Sequence, residues 1–220
     1  MKTLQIDIVS DIACPWCAIG FARLEQAMQE LAGELSFRIE WHAFELNPDE
    51  SAQGRPILEA LAEKYGSTQA EMEKAQAGMQ EAARDLGLDF TRMQERRTCN
   101  TFDAHRLLKW AGEQSRETDL MKAFFEAYFG HAENISDHEV LVRYVESAGL
   151  DGTRAKEVLD SDDYADAVRK DEARYQQAGI SSVPAFIIDQ QYLISGAQEP
   201  EYLVQALRQI ASGEVETQQG

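Results

Sequence analysis

Long apolar runs are missing from this chain: none exceeds a few residues, so no segment suits a membrane-crossing helix and no membrane partner is expected. Basic residues are scarce as well. Lys and Arg number 21 against 39 Asp and Glu, a formal net charge of −18, which argues against nucleic acid and anionic lipid as partners, since both are held by positive charge. Cysteine is rare, with three in 220 residues, too few for a disulfide scaffold. The N-terminal segment MKTLQIDIVSDIACPWC lacks the apolar core and small-residue cleavage site of a secretory signal, which predicts a cytoplasmic protein. None of the four histidines (His42, His105, His131, His138) forms an H-x₃₋₅-H pair, so a zinc site is not expected either. No internal repeat or low-complexity stretch is evident.

What is present has a definite order. Leu4, Ile6 and Ile8 alternate with Gln5, Asp7 and Val9 in a strand pattern, and residues 15–32 carry Ile19, Leu24, Ala27, Met28 and Leu31 at helical spacing. In SFRIEWHAF, Phe37, Ile39, Trp41 and Ala43 share one strand face while Arg38, Glu40 and His42 share the other. Strand, helix and strand make a βαβ unit. After Asn47-Pro48 the pattern is helical over roughly the next 130 residues, with sets such as Ile57/Leu61/Tyr65, Leu107/Leu108/Ala111 and Tyr164/Val168/Tyr175. Strand character returns at SVPAFIIDQQYLISG, which predicts a hairpin about Asp189-Gln190-Gln191, and Pro200 suits the first turn of a last helix. The polar tail ASGEVETQQG is expected to fray. The arrangement predicts one small α/β domain, residues 1–48 and 180–220, interrupted by an all-helical insertion, residues 49–179.

The chemistry concentrates in SDIACPWCAIG, where Cys14 and Cys17 bracket Pro15 and Trp16 at the strand-to-helix junction. Unpaired N–H groups at a helix N-terminus, together with the helix dipole, stabilise a thiolate there. Cys14, at the very end of the helix, is expected to be exposed and to have the lower pKa. Cys17, one turn further in, is expected to be more buried and to resolve the mixed disulfide that Cys14 forms. The inert alternative is two reduced cysteines packed as small apolar groups.

Three stretches, IVSDIACPWCAIG, CNTFDAHRLLKWA and GISSVPAFIID, resemble in that order the DsbA family of thiol:disulfide oxidoreductases, and specifically its cytosolic FrnE-like branch. The resemblance extends over nearly the whole chain. It implies a thioredoxin-like α/β fold with a helical insertion, catalysis by Cys14 and Cys17 through a redox-active disulfide, and no bound cofactor. It also implies a cis Val183–Pro184 peptide bond beside the cysteines. Val183, Pro184, Trp16 and Pro15 would then contact substrate, with an extended peptide pairing along Val183. Expected partners are disulfide- or thiol-containing proteins or peptides, with glutathione as a co-substrate or a thioredoxin-type protein for recycling. Two features depart from DsbA proper. Trp16 stands where DsbA has a histidine, and the secretory signal is lacking, which favours reductase or isomerase work over wholesale oxidation.

Two other readings stay open. Glutathione-dependent kappa-class transferases and 2-hydroxychromene-2-carboxylate isomerases share the superfamily and the N-T-x-x-A-H-R pattern, here Asn100 to Arg106. This puts Asn100, Thr101 and His105 forward as lining the site, although a capped helix start with a solvated polar face explains them equally well. The other is a non-enzymatic acidic binding protein or chaperone with a vestigial thiol pair. Cys99 reads as a packed, inert cysteine. DSDDYADAVRKDEARY reads as a charged helix face, and the aromatics Phe124, Phe125, Tyr128 and Phe129 read as core.

Overall fold

The computed structural model describes residues 1–214. Strand β1 (Lys2–Ser10) leads into helix α1 (Pro15–Glu30) and then β2 (Leu35–Ala43). Seven helices follow: α2 (Ile57–Tyr65), α3 (Gln69–Asp85), α4 (Phe102–Gly112), α5 (Glu117–Phe125), α6 (His138–Ser147), α7 (Gly152–Leu159) and α8 (Ala165–Gln177). A π-helical turn, Glu126–Gly130, continues α5. The chain closes with β3 (Ala185–Ile188), β4 (Tyr192–Ser195) and α9 (Pro200–Ser212). Of the tail expected to fray, Ala211 and Ser212 belong to α9, and residues 215–220 lie outside the described residues.

The sheet order is β2-β1-β3-β4. β1 and β2 run parallel with Ile6 opposite Ile39 and Ile8 opposite Trp41, while β3 is antiparallel to β1 with Phe186 opposite Ile8. The β3–β4 hairpin joins Ile188 to its partner Tyr192 through Asp189, Gln190 and Gln191; Asp189 and Gln190 are left-handed, with φ of 50° and 57°, and the Gln191 N–H closes the turn on the Ile188 carbonyl. This is a DsbA-like thioredoxin fold, with a mixed four-stranded sheet and the helices α2–α8 inserted between β2 and β3.

Alternation in β1 sorts its side chains. Leu4, Ile6 and Ile8 enter the main core with Leu24 of α1 and Leu203 and Leu207 of α9, whereas Val9 packs with Tyr175 of α8. The main core runs without a break from the sheet into the helical block, through Leu107, Phe124, Tyr128 and Phe129.

The charged faces of β2 and α8 differ from a solvated surface. α8 lies over the sheet, and His42, on the polar side of β2, is buried between Asp7 of β1 (3.4 Å) and Asp171 of α8 (3.2 Å). Lys109 of α4 pairs with the same Asp171 carboxylate and donates to the Trp41 carbonyl. Alternation reports which side chains share a face but not whether a distant helix covers it. Among the described residues no helix is long and apolar enough to cross a membrane.

Candidate active site at the CPWC motif

The loop between β1 and α1 is built on Asp11, whose side chain is fully buried. Its carboxylate accepts the N–H groups of Ala13 (3.2 Å) and Leu46 (2.7 Å), and its carbonyl accepts that of Cys14 (3.1 Å). These bonds tie the loop to the chain leaving β2 and deliver Cys14 to the N-cap position of α1. Pro15 occupies the first turn, where the missing N–H costs nothing, and the Cys14 side chain makes no capping bond.

The Cys14 and Cys17 sulfurs lie 3.5 Å apart as free thiols. Their acidities diverge. A hydrogen bond from Cys17 lowers the pKa of Cys14, helped by the Cys17 and Trp16 backbone N–H groups, against the opposing effects of burial and the Asp11 charge. Burial pushes Cys17 well above the ordinary thiol value, and the neighbouring Cys14 pushes it further. Cys14 is not exposed as its position at the helix end predicts: it is 6 % accessible, against 1 % for Cys17. The cause is the Val183–Pro184 segment, which lies over it with the Val183 carbonyl 3.7 Å from the Cys14 sulfur.

Cys14 nevertheless lines a cavity of about 800 Å³ between the sheet domain and the helical block. Pro15, Trp16 and Val183 border it on the Cys14 side, and Ile57 and Leu61 of α2 with Met72 and Met79 of α3 supply apolar wall on the other. Trp16 is 41 % exposed, a large apolar surface beside a reactive thiol. Tyr128, Gln76 and Arg96 also line the cavity.

The Val183–Pro184 peptide bond is cis. Pro184 is buried against α1 and does not line the cavity. It sits so close to Gly20 that a Cβ there would meet the Pro184 ring at 3.0 Å, which is why a glycine occupies that turn of α1. Asn100, Thr101 and His105 do not line the cavity either. Asn100 donates to the Pro48 carbonyl and accepts the first N–H of α4 from Phe102, and Thr101 is buried. His105 bonds the Phe44 carbonyl (3.2 Å) and lies 3.6 Å from the Asp11 carboxylate, so it braces the loop that carries Cys14 from behind. Of the NTxxAHR segment, Asn100 and His105 bond the chain leaving β2, while Arg106 is held by Asp103 and by the carbonyls of Val158, Ser161 and Asp163. Cys99 is buried, and burial pushes its pKa up to about 12.

Asp11, Gln76 and Arg96 carry no signal in the sequence. Arg96 stands in RMQERRTCN, which reads as a polar loop. Among the described residues Asp7, Glu40 and His42 place potential ligand atoms within 4.8 Å of one another, but His42 is already held by Asp7 and Asp171, and Lys109 brings a positive charge to the cluster. The chemistry there is that of an ion-pair network, and none of its residues lines the cavity.

The DSBA-like thioredoxin domain family matches residues 5–208. The structure is similar to that of a probable DsbA oxidoreductase from Streptomyces coelicolor, with 35% identity, TM-score 0.89, and coverage of 99% of this chain and 93% of that one. It is 29% identical over 187 residues to YwbO, an uncharacterised protein of Bacillus subtilis (strain 168), covering 84% of this chain and 87% of that protein. A 2-hydroxychromene-2-carboxylate isomerase shares the fold at TM-score 0.71 and 13% identity, with coverage of 96% and 97%.

Proposed function

This chain belongs to the DSBA-like thioredoxin domain family, and from that premise we propose that it is a dithiol/disulfide oxidoreductase of protein and peptide disulfides, acting through Cys14 and Cys17. The observation that carries this reading is the opposed shift of two thiols 3.5 Å apart, the more acidic of which lines the cavity.

The Cys14 thiolate attacks one sulfur of a substrate disulfide, forms a mixed disulfide and releases the other half as a thiolate, which takes a proton from solvent. Cys17 then gives its proton to solvent and attacks the Cys14 sulfur. The substrate's second thiolate leaves, and a Cys14–Cys17 disulfide remains, two electrons having passed to substrate. The structure supports this order. Part of the upward push on Cys17 comes from Cys14, and that part disappears once Cys14 is tied up in the mixed disulfide. Cys17 therefore becomes a stronger acid at the step where it must ionise. An extended substrate strand pairs beside Val183, with Trp16 packing on its apolar side chains. We place the protein in the cytoplasm, on the FrnE-like branch, recycled by glutathione or a thioredoxin-type partner.

The fold shared with an isomerase favours one competing reading, glutathione-dependent isomerisation or transfer. Cys17→Ala separates the two. With the resolving thiol gone, Cys14-linked adducts of cellular thiol proteins accumulate on non-reducing electrophoresis, dissolve on adding reductant, and are missing from a Cys14/Cys17 double mutant. Absence of adducts together with intact isomerase or transferase turnover would overturn the oxidoreductase reading.

A further inference from the structure

The helical insertion supplies the Cys14 cavity with a buried positive charge that the exchange chemistry does not use. Arg96 is 3 % exposed and Gln76 of α3 is 2 % exposed, and both line the cavity. The Arg96 guanidinium lies over the rings of Tyr128 and Phe129, with its carbon 5.2 and 5.1 Å from their centroids. Its Nη1 donates to the Gln76 side-chain oxygen (3.0 Å) and to the Met93 carbonyl. Two donors are left over. Arg96 Nε and Gln76 Nε2 are buried without a hydrogen-bond partner among the described residues. A buried cation with no carboxylate paired to it among the described residues, beside an amide whose Nε2 is also unpaired, is costly, and such costs persist where a ligand meets them.

Other charges around the cavity do not cancel this one. Glu63 is exposed and already paired with Arg55, and the half-buried Glu50 is offset by Lys64, which leaves Arg96 in excess. Around these groups the walls are apolar: Ile57, Leu61, Met72 and Met79. A volume of about 800 Å³ falls in the range that takes a whole small molecule or a few peptide residues.

We propose that Arg96, together with Gln76, is the carboxylate anchor of this cavity, and that its occupants are low-molecular-weight disulfides with an apolar body and a carboxylate, bound with the carboxylate on the arginine and a sulfur at Cys14. This deepens the oxidoreductase reading and rests on it. Exchange runs as above: the Cys14 thiolate attacks the near sulfur, one thiolate half leaves, and Cys17 expels the other as the Cys14–Cys17 disulfide forms. In a protein of net charge −18, whose general field repels anions, selection for an anionic disulfide requires a local cause of this kind.

The test compares two aromatic disulfides on the reduced protein, 5,5′-dithiobis(2-nitrobenzoate), which carries carboxylates, and 4,4′-dithiodipyridine, which is neutral. The ratio of their rates with the protein is divided by the same ratio for free cysteine. Working at about 1 M salt, where the screening length is about 3 Å, removes the distant surface field. Wild type shows a corrected ratio above one, and Arg96→Met lowers it about tenfold, the size of a charge-assisted hydrogen bond. Because Arg96→Met removes packing too, Gln76→Glu serves as the second variant. It keeps the arginine but pairs it with a near-isosteric carboxylate, and it lowers the ratio to a similar extent. A ratio that neither variant changes, or a wild-type ratio at or below one, would overturn the anchor while leaving the thiol reading intact. Failure of the neutral disulfide to oxidise Cys14 in wild type would instead sink the oxidoreductase reading.

Discussion

Two clusters of buried ionisable groups lie along the path of β1, one beside the strand and one just past its end, and they behave in opposite ways. Within the sheet, His42 is held between Asp7 and Asp171, and Lys109 completes the set. Burial opposes every charge there, yet the partners win. The pKa values of Asp7 and Asp171 are lowered and that of His42 is raised, so all three move towards their charged forms. Just beyond the end of β1, Cys14 is lowered and Cys17 raised. Groups that shift together to satisfy one another hold a fold in place. Groups driven apart, at the edge of a cavity, are arranged to pass protons and electrons. Perturbation alone therefore does not mark a site; the direction of the shifts and the access to them do.

Substitutions on the two sides should dissociate cleanly, and this is the largest effect expected. Cys14→Ser abolishes disulfide exchange and changes stability to urea by less than about 1 kcal/mol, since the replacement is nearly isosteric. Asp171→Ala leaves Lys109 and His42 without their shared anion and costs about 3 kcal/mol. Alkylation of Cys14 near neutral pH keeps its wild-type rate in that variant, measured with the protein fully folded. A parallel fall in alkylation would show that the network tunes the thiol and would erase the distinction.

The pH profiles sharpen the same contrast. His42 binds its proton more tightly folded than unfolded, so its contribution is complete below about pH 6.5, the unfolded value, and is lost as pH rises through the higher folded value. Glu45, pushed up to about 7 by burial and by Glu172, adds a loss of the same sign from about pH 4.5, the unfolded value, upward to about 7. Asp7 and Asp171, both lowered, contribute above about pH 3.9 and fail as pH falls through their folded values. Thermal stability should therefore decline from weakly acid to mildly alkaline pH, and His42→Gln should flatten the decline above pH about 6.5. Cys14 alkylation rises over the same range as its thiolate fills. A stability curve that rises with pH alongside alkylation would contradict these assignments.

The sequence carried most of the frame and the reacting pair. Period-2 alternation in Leu4–Ile8, Pro15 at the helix start and the Asp189-Gln190 turn are local signals, and local signals survive folding. Helix α7 was not separable from its neighbours because eight residues, Gly152–Leu159, hold too little periodicity to stand out. Burial of His42, Arg96 and Asp11 could not be read at all. Each depends on a segment far along the chain: α8 over His42, Gln76 and the Tyr128 ring against Arg96, and the Leu46 backbone on Asp11. The polar residues Asn100, Thr101 and His105 show the converse error. Their motif suggested a site wall, but Leu46, Asn47 and Glu50 of the β2–α2 connection form that wall, Asn100 and His105 bond the connection, and only His105 reaches Asp11 of the Cys14 loop.

Cys99 gives the smallest effect and the internal control. It is as buried as Cys17 but has no partner thiol, no helix N-terminus and no place on the cavity wall. Burial is the main reason its pKa stands at about 12, so at pH 8 the thiolate fraction is only about one in ten thousand. Alkylating reagents should label it only after the surrounding core opens, in step with unfolding by urea, while Cys14 is labelled in the native protein. Cys99→Ala removes one small buried group and should cost about 1 kcal/mol with exchange rates unchanged. Labelling of Cys99 in the folded protein at a rate near that of Cys14 would mean that burial and a raised pKa do not silence a thiol here. The distinction between the two clusters would then have to rest on the cavity alone.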